Sequence, residues 1–487
     1  MLANAVGLFR FLCYRGQKLK SFGDYSHALS QQVRAASLLT AEQAGRRVMH
    51  LNGPSICKED QARQIAKEDG IREGLVAVLT AVEPCWSYNI QSDGKGKLEL
   101  VHAYRKCQHL YHYLIHPVFG FMHMRLQTWL PFNLSVCING REWLSRQMDA
   151  AGIAYRRVDN CFTHVADLQR AQALMNEQVR FDYAKTLGAL AATVNPAHGP
   201  IVGAYDIPYY WSLDESEWAS DVMFRSPGQL QALYPSLTRH AIESFSSPSV
   251  MRFLGRRAPA SGNVNGNFAG EVLSEYKRRP EGVCVKHRVN RNSIKMYDKA
   301  ASVLRTETTL NNMRDIKAPR RIKGKTVYRP MRKGVADMPR RAEVSQASNK
   351  RYLEALAAVA APTPLKTLTD KLSDRVKWKG QMVRGLNLLG AQDAGLLDAI
   401  GRGEFLINGL RNRDLQGLLF GEATDDAREQ RRRSGQVTRK LRMLRAHGLA
   451  QKVPHTHRYQ VTEKGRQVIA ALHAAREADT QKLSNAA

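Results

Sequence analysis

Two short runs near the middle of the chain combine carboxylates, cations and a phenol, the side chains that metal-dependent chemistry on a phosphate needs. They are Tyr297-Asp298-Lys299 and Arg305-Thr306-Glu307. If the runs pair as a hairpin, the two carboxylates and the two cations come close together. Carboxylate oxygens suit Mg²⁺ or Mn²⁺, and the cations suit a phosphate. An ordinary salt-bridged surface has the same composition, so both interpretations stay open.

Four antiparallel strands are predicted to hold these side chains. Turn residues separate segments of about seven to ten residues, and side chains alternate in polarity within them. The segments are residues 268–277, 282–290, 293–299 and 302–310. Three further strands are predicted upstream, at residues 107–115, 121–130 and 133–138. We expect the two groups of strands to join into one sheet across a helical insertion.

Helices are predicted in much of the remaining chain. Apolar spacing places them at residues 60–79, 165–194 (a pair), 214–224, 228–245 and 343–361. Residues 314–341 lack clear periodicity and are rich in Arg and Lys. We expect this segment to be a basic connector that is either solvated or ordered by nucleic acid.

The chain is strongly basic, with 73 Lys and Arg against 44 Asp and Glu and a formal net charge of +29. The excess is concentrated in residues 277–299, 314–351 and 428–466. In the last segment twelve basic residues stand against two acidic ones. Such a local excess predicts a polyanionic partner, DNA or RNA in preference to an acidic membrane face.

In the C-terminal segment, apolar spacing predicts two short helices, a basic helix, two strands and a closing helix. Ser434 is expected to cap the basic helix at residues 436–447. Val437, Leu441 and Leu444 would then face the core, while Gln436, Arg439 and Arg442 face outward.

The run Val437-Thr438-Arg439-Lys440-Leu441, followed by Tyr459-Gln460-Val461-Thr462 and Gly465-Arg466, resembles the MarR-like winged helix-turn-helix regulators. The resemblance implies a basic helix in the DNA major groove and a wing on the backbone. A winged helix used for protein contacts is the alternative. The residues expected to contact nucleic acid lie in the three basic segments: Arg432, Gln436, Arg439, Lys440, Arg442, His457, Arg458, Arg320, Arg321, Arg332, Lys333, Lys286 and Arg288.

The fold class that follows is α+β: a central antiparallel-sheet domain with helical insertions, followed by a C-terminal winged helix-turn-helix domain. The expected divisions are a mainly helical region at 1–97, the sheet domain at 98–312, a basic connector and helix at 313–389, and the C-terminal domain at 390–480.

The runs around Asp298 and Glu307 are also similar to rolling-circle replication initiators and related mobile-element nickases. Those proteins cut one strand with a tyrosine and a metal held on an antiparallel sheet. The resemblance implies metal ligands at His123, Asp298 and Glu307, and phosphate contacts at Lys299 and Arg305. It implies a nucleophile at Tyr352, with Tyr297 as an equally available hydroxyl. The sequence His123-Met124-Arg125 departs from the family, because the second histidine of the usual pair is missing.

The seven cysteines are odd in number and none are spaced as Cys-x-x-Cys, which predicts neither a structural zinc site nor a disulfide framework. Five histidines are clustered, at His102, His109, His112, His116 and His123. On a helix three of them would share a face and suit a metal. On the strand that we predict, His109 and His112 point to opposite faces.

The sequence thus predicts a cytoplasmic nucleic-acid-binding protein of plasmid or mobile-element type, with a metal-dependent replication initiator or nickase as one hypothesis. The alternatives are a non-catalytic winged-helix regulator and a structured-RNA-binding protein. The partner is DNA, duplex or single-stranded, or RNA, and the sequence is compatible with a homodimer. No membrane is expected, because Arg10 interrupts the N-terminal apolar run, which is too short to span a bilayer.

Overall fold

A computed structural model describes residues 2–53, 56–205, 207–256, 272–279, 282–313, 316–357, 365–421, 424–454 and 456–477. The fold class is mixed α+β, as predicted. The chain divides into two compact units, Met1–Ser212 and Leu213–Ala487.

The first unit contains a five-stranded sheet in the order β1-β2-β3-β4-β5, in which β1 is parallel to β2 and the other pairs are antiparallel. A small sheet pairs β6 with β7. The helices are α1 (Ala5–Tyr14), α2 (Phe22–Gln43), α3 (Lys58–Glu68), α4 (Gly140–Ala150), α5 (Leu168–Glu177), α6 (Tyr183–Val194) and α7 (His198–Val202). The strands are β1 (Arg47–His50), β2 (Gly74–Ser92), β3 (Leu98–His116), β4 (Gly120–Gln127), β5 (Leu134–Cys137), β6 (Tyr155–Val158) and β7 (Cys161–Val165).

The helix predicted at residues 60–79 is wrong in its second half. Helix α3 ends at Glu68, and Gly70 then adopts a φ of +64° that a helix does not allow. The apolar residues from Val76 to Leu79 belong to β2, where they are fully buried. Periodicity alone does not distinguish a buried strand from a buried helix when the apolar run is short.

The second unit contains another five-stranded antiparallel sheet, in the order β8-β12-β11-β10-β9. Its helices are α8 (Pro227–Glu243), α9 (Ser247–Phe253), α10 (Met338–Ala357), α11 (Leu365–Ser373), α12 (Ala391–Ile400), α13 (Gly403–Asn408), α14 (Asn412–Phe420), α15 (Ala427–Ala446) and α16 (Glu463–Glu477). Its strands are β8 (Glu217–Met223), β9 (Val272–Arg279), β10 (Gly282–Val289), β11 (Asn292–Lys299), β12 (Val303–Thr309), β13 (Lys317–Ile322), β14 (Lys325–Pro330), β15 (Val376–Trp378), β16 (Gln381–Val383), β17 (Ala450–Lys452) and β18 (Tyr459–Val461).

Strands β10, β11 and β12 match the predicted meander closely, whereas the first residues of the strand predicted at 268–277 lie outside the described part. The helix predicted at 214–224 is instead strand β8, which pairs with β12. The two groups of predicted strands also form two separate sheets, one in each compact unit, instead of joining into one. β8 supplies the edge that the upstream strands were expected to supply.

The apolar face of the second sheet packs on helices. Val285, Ile294, Met296 and Leu304 share a buried cluster with residues of α8, α9 and α10. The C-terminal segment has its own cluster, which includes the three residues predicted for the inner face of the basic helix. That cluster extends back to Leu372 in α11.

Two predictions about the basic segments are wrong in detail. Residues 317–330 form the hairpin β13–β14, which turns tightly at Lys323 and Gly324 with φ values of +47° and +76°. Ser434 does not begin a new helix, because α15 runs without a break from a cap at Asp426, whose side chain accepts the Arg428 N–H at 2.8 Å.

Candidate nucleic-acid interface

One face of α15 is a stripe of arginines. At about 100° per residue, its members fall within roughly 100° of arc on the helix surface. They are Arg428, Arg431, Arg432, Arg439 and Arg442. The opposite face carries the three buried apolar residues predicted for it, which anchor the helix and turn the arginines outward. We call this stripe the arginine face.

The arginines of this face differ in whether their side chains contact other residues of the protein. Arg428, Arg431 and Arg439 are exposed. Arg432 is paired with Glu429, its Nε lying 2.5 Å from a carboxylate oxygen. Arg442 donates to Gln381 and lies 5.9 Å from the centre of the Trp378 ring. Arg442 therefore braces α15 against the β15–β16 hairpin, and Arg439 is the better placed of the two predicted contacts.

Gly435 lies at the centre of the arginine face, inside the helix. A Cβ atom built there would have a single neighbour within 4 Å, Nη1 of Arg439 at 3.9 Å. Glycine inside a helix costs about 0.5–1 kcal/mol relative to alanine, and no packing within the described residues requires it. The missing side chain leaves space for a partner to approach the helix backbone closely.

The remaining predicted contacts of this module are of two kinds. Gln436 and Lys440 are half-buried on the flanks of α15, and His457 is exposed at the turn between β17 and β18. Arg458 is only 6% exposed. Its Nη1 donates to the carbonyl oxygen of Asn408 at 2.7 Å, and its guanidinium lies 4.3 Å from the centre of the Tyr328 ring. The prediction that Arg458 contacts nucleic acid is contradicted by this burial.

The hairpin β13–β14 is a second cationic surface in the same unit. Its exposed basic side chains are Lys317, Arg321, Lys323, Lys325 and Arg329. The Arg458–Tyr328 contact joins it to the C-terminal module, as does the Lys317 N–H, which donates to Asn408 at 3.0 Å. The basic segment is therefore an ordered element that is docked against the C-terminal module.

Two of the residues predicted to contact nucleic acid, Arg320 and Arg332, donate hydrogen bonds to Asp337. Arg320 donates to this buried carboxylate, and the Arg332 N–H donates to it at 2.7 Å. Burial opposes ionisation, but these hydrogen bonds hold the pKa of Asp337 below its ordinary value. The side chains of Arg332 and Lys333 are exposed, although Nζ of Lys333 lies 3.9 Å from a carboxylate oxygen of Asp214.

The second sheet does not bring Asp298 and Glu307 together. Lys295 pairs with Glu307 and Asp298 pairs with Leu304, so alternation places the two carboxylates on opposite faces. The Asp298 N–H donates to Tyr234 on the helical side at 3.2 Å. Glu307 is opposite Lys295, which is three residues from Asp298, and an odd separation along a strand reverses the face. The prediction that the hairpin directs both carboxylates at one metal ion is therefore wrong.

Glu307 belongs to a buried polar network on the other face. It lies 2.5 Å from Nζ of Lys295 and accepts a hydrogen bond from Tyr297 at 3.0 Å. Burial and the neighbouring Glu307 raise the pKa of Tyr297 to about 12, which disfavours its phenolate. Arg305 donates to both oxygens of Asp221, at 2.7 and 2.9 Å, and is almost fully buried. This pairing occupies the guanidinium that was predicted to contact phosphate.

The other basic residues of this sheet that were predicted to contact nucleic acid or phosphate are Lys286, Arg288 and Lys299. Lys286 and Lys299 are half-buried, and Arg288 pairs with Glu275 at 2.8 Å.

Tyr352 lies inside the core of the second unit with 0% exposure. Its ring packs against Phe245 and Phe253, with centroids 5.3 Å away in each case. Burial raises the pKa of its hydroxyl, which has no hydrogen-bond partner among the described residues. In this position the hydroxyl has no access to a phosphate.

His123 lies on β4 of the first unit, whereas Asp298 and Glu307 lie in the second unit. Its ring is 5.8 Å from that of Tyr111 and 5.1 Å from that of Tyr113. Desolvation lowers the pKa of His123 and so disfavours its imidazolium form.

A different group of metal-ligating side chains lies on β2 and β3 of the first unit. Ligand atoms of Cys85, Cys107 and His109 all lie within 4.8 Å of one another, and all three residues are buried. Burial, reinforced by Cys85, raises the pKa of Cys107 to about 12. Neither the spacing of the cysteines nor the histidine cluster predicts this group, because Cys85 lies on a different strand from the other two residues. The one local signal is Cys107-Gln108-His109, whose spacing places a thiol and an imidazole on one face of a strand.

No family model matches this chain, and neither a curated protein nor a solved structure matches it. Among the helices that the structure describes, none is long and apolar enough to cross a membrane.

Proposed function

We propose that the second unit binds duplex DNA, with the arginine face of α15 in the major groove and the β13–β14 hairpin on the phosphate backbone. The observation that carries the proposal is the arginine face itself. It combines exposed guanidinium groups, a central glycine and an opposite face anchored in a core. Arginine suits this role because its planar fork can bind phosphates and guanine edges in a bidentate manner.

The dimensions of the arginine face support a helix that crosses the groove. From Arg428 to Arg442 it spans about 21 Å at 1.5 Å per residue. The major groove of B-DNA is about 12 Å wide. The ends of the face would therefore reach the two flanking backbones while Gly435 lies over the floor of the groove.

Duplex DNA is preferred to duplex RNA in this proposal. The major groove of A-form RNA is deep and narrow, and an α-helix does not enter it. The order of α14, α15, β17, β18 and α16 supports the proposal of a winged helix-turn-helix, in which the β17–β18 turn with exposed His457 would follow the backbone. A regulator that binds DNA without cutting it needs nothing beyond these elements.

Strand cutting is not part of the proposal. The replication-initiator and nickase hypotheses require an accessible tyrosine and a shared metal site. Tyr352 is enclosed in the core, and Asp298 and Glu307 lie on opposite faces of their sheet. The binding experiment can include Mg²⁺ and Mn²⁺ so that any cutting would also be seen.

The test is a titration of the full-length chain against labelled duplex DNA, single-stranded DNA and duplex RNA of equal length, followed by fluorescence anisotropy. We expect the tightest binding to duplex DNA, with log affinity falling against log salt at a slope of magnitude about 4 or more. Equal or tighter binding to duplex RNA would contradict the groove assignment. A flat salt dependence would remove nucleic-acid binding altogether.

Arg431→Ala with Arg439→Ala is the decisive variant, because both side chains are exposed and alanine favours a helix. Loss of two phosphate contacts should lower the magnitude of the salt slope by about 2. The matched control is Lys366→Ala with Lys371→Ala, which removes the same charge from exposed positions on α11. If the two double variants weaken binding equally, the arginine face is not the interface.

A further inference from the structure

The first unit contains a group of buried sulfur and nitrogen atoms that DNA binding does not use. Cys107 and His109 are two residues apart on β3, so both side chains lie on the same face of the sheet. Cys85 lies on the neighbouring strand β2. Its sulfur is 3.3 Å from that of Cys107, which is in turn 4.0 Å from Nδ1 of His109. The exposed fractions of the three residues are 6%, 9% and 0%.

The imidazole of His109 has one satisfied nitrogen and one unsatisfied nitrogen. Nδ1 lies 3.2 Å from the carbonyl oxygen of Cys107, whereas Nε2 is buried without a hydrogen-bond partner in the described part of the chain. Buried polar atoms are rarely left unpaired. Nδ1 is also the ring nitrogen that lies 4.0 Å from the sulfur of Cys107. An ion bound by Nδ1 would replace its contact with the carbonyl and leave the ring proton on Nε2.

The strand register favours a shared ion over a disulfide. Cys107 pairs with Glu83, and Cys85 pairs with Arg105, so the two cysteines are diagonal neighbours. Diagonal neighbours on antiparallel strands lie about 7–8 Å apart, whereas a disulfide needs Cα atoms about 4.4–6.8 Å apart. Two sulfurs bound to one zinc ion lie about 3.8 Å apart, from bonds of about 2.3 Å. The observed separation of 3.3 Å needs only a small opening to reach that value.

We propose that Cys85, Cys107 and His109 bind one thiophilic divalent cation, Zn²⁺. Thiolate and imidazole donors suit zinc. Two thiolates would neutralise the charge of the ion, which matters at a buried site. Three protein donors leave one coordination position for water or another ligand, as in zinc sites with an exchangeable position. Metal binding at this site is independent of the DNA-binding proposal.

Metal content and cobalt substitution test the site in the full-length chain. Protein produced with added zinc and purified without chelators should contain about one zinc ion per chain. After zinc removal, Co²⁺ should give the charge-transfer absorption of thiolate coordination. Cys85→Ser, Cys107→Ser and His109→Gln should each lower zinc affinity at least about tenfold. Cys161→Ser, which changes a buried thiol of the same unit outside the group, should bind zinc like the unchanged chain.

Several results would overturn the site. They are a chain that neither retains zinc nor takes up Co²⁺, a cobalt spectrum without thiolate bands, or unchanged affinity in all three variants. A thiol count of five instead of seven in the unreduced, denatured chain would indicate a disulfide instead. If a cysteine variant does not fold, the stoichiometry and cobalt spectrum of the unchanged chain, together with His109→Gln, decide the question.

Discussion

Replacing Gly435 by alanine should move stability and DNA binding in opposite directions. The new methyl group would meet a single atom within 4 Å, at the end of the flexible Arg439 side chain, so it should fit without strain. Glycine in a helix interior costs about 0.5–1 kcal/mol relative to alanine. We therefore expect Gly435→Ala to raise the free energy of unfolding by that amount. In a unit of this size the melting temperature should rise by about 1–3 °C.

The same methyl group would lie on the surface that we place over the floor of the major groove. We expect it to weaken duplex affinity by about tenfold, equivalent to about 1.4 kcal/mol. Gly435→Glu should weaken affinity further, because it adds a negative charge among the arginines. The assays are urea unfolding followed by circular dichroism, and anisotropy titration with duplex DNA at fixed salt.

Gly395→Ala provides the matched control. Gly395 lies inside α12, and a Cβ atom built there would have no neighbour within 4 Å. This variant should gain similar stability and bind DNA normally. If Gly435→Ala is stabilised and still binds duplex DNA as tightly as the control, the arginine face does not approach DNA closely.

Three other substitutions separate structural roles from functional ones. Arg458→Met should lower the free energy of unfolding by about 2–4 kcal/mol, because the substitution leaves the buried carbonyl groups of Asn408 and Gly409 without this donor. Urea unfolding measures the change. Tyr352→Phe should leave stability equal or raise it by up to about 1 kcal/mol, since it removes a buried hydroxyl without a partner among the described residues; a large loss would contradict this. Asp393→Asn should cost about 1–3 kcal/mol at pH 7, because hydrogen bonds from Arg384 lower the pKa of Asp393. That stabilisation is present above pH ~4 and is lost as pH falls through the lowered pKa, so the difference between the two proteins should narrow in acid, as measured by unfolding at several pH values.

Local signals in the sequence sufficed for the central strands and several helices. The turn at Asn290 and Arg291 has the chemistry of a short hairpin loop, and the strands on either side follow it. Strand β8 had no such signal. It pairs with β12, about 80 residues away, and a strand that depends on a distant partner has no local period to identify it.

The candidate site was also predictable only where the signal is local. The inner face of α15 follows helical spacing, so burial of Val437, Leu441 and Leu444 could be read from the sequence. The different positions of Arg439 and Arg458 could not be, because Arg458 is buried against Tyr328, a residue 130 positions away. Residue type and local charge do not distinguish these two arginines.

The basic segments therefore contain two populations of arginine with opposite roles. Arg351 donates to the Phe253 carbonyl at 2.5 and 3.1 Å, and burial lowers its pKa to about 9. Arg341 is 1% exposed and donates to the Leu213 carbonyl at 3.2 Å. Both belong to a segment whose charge excess suggested a nucleic-acid surface, yet both stabilise the interior. Since a guanidinium already hydrogen-bonded in the core cannot also release counterions from DNA, the salt slope should follow the exposed arginines of α15 and the β13–β14 hairpin instead of the total charge.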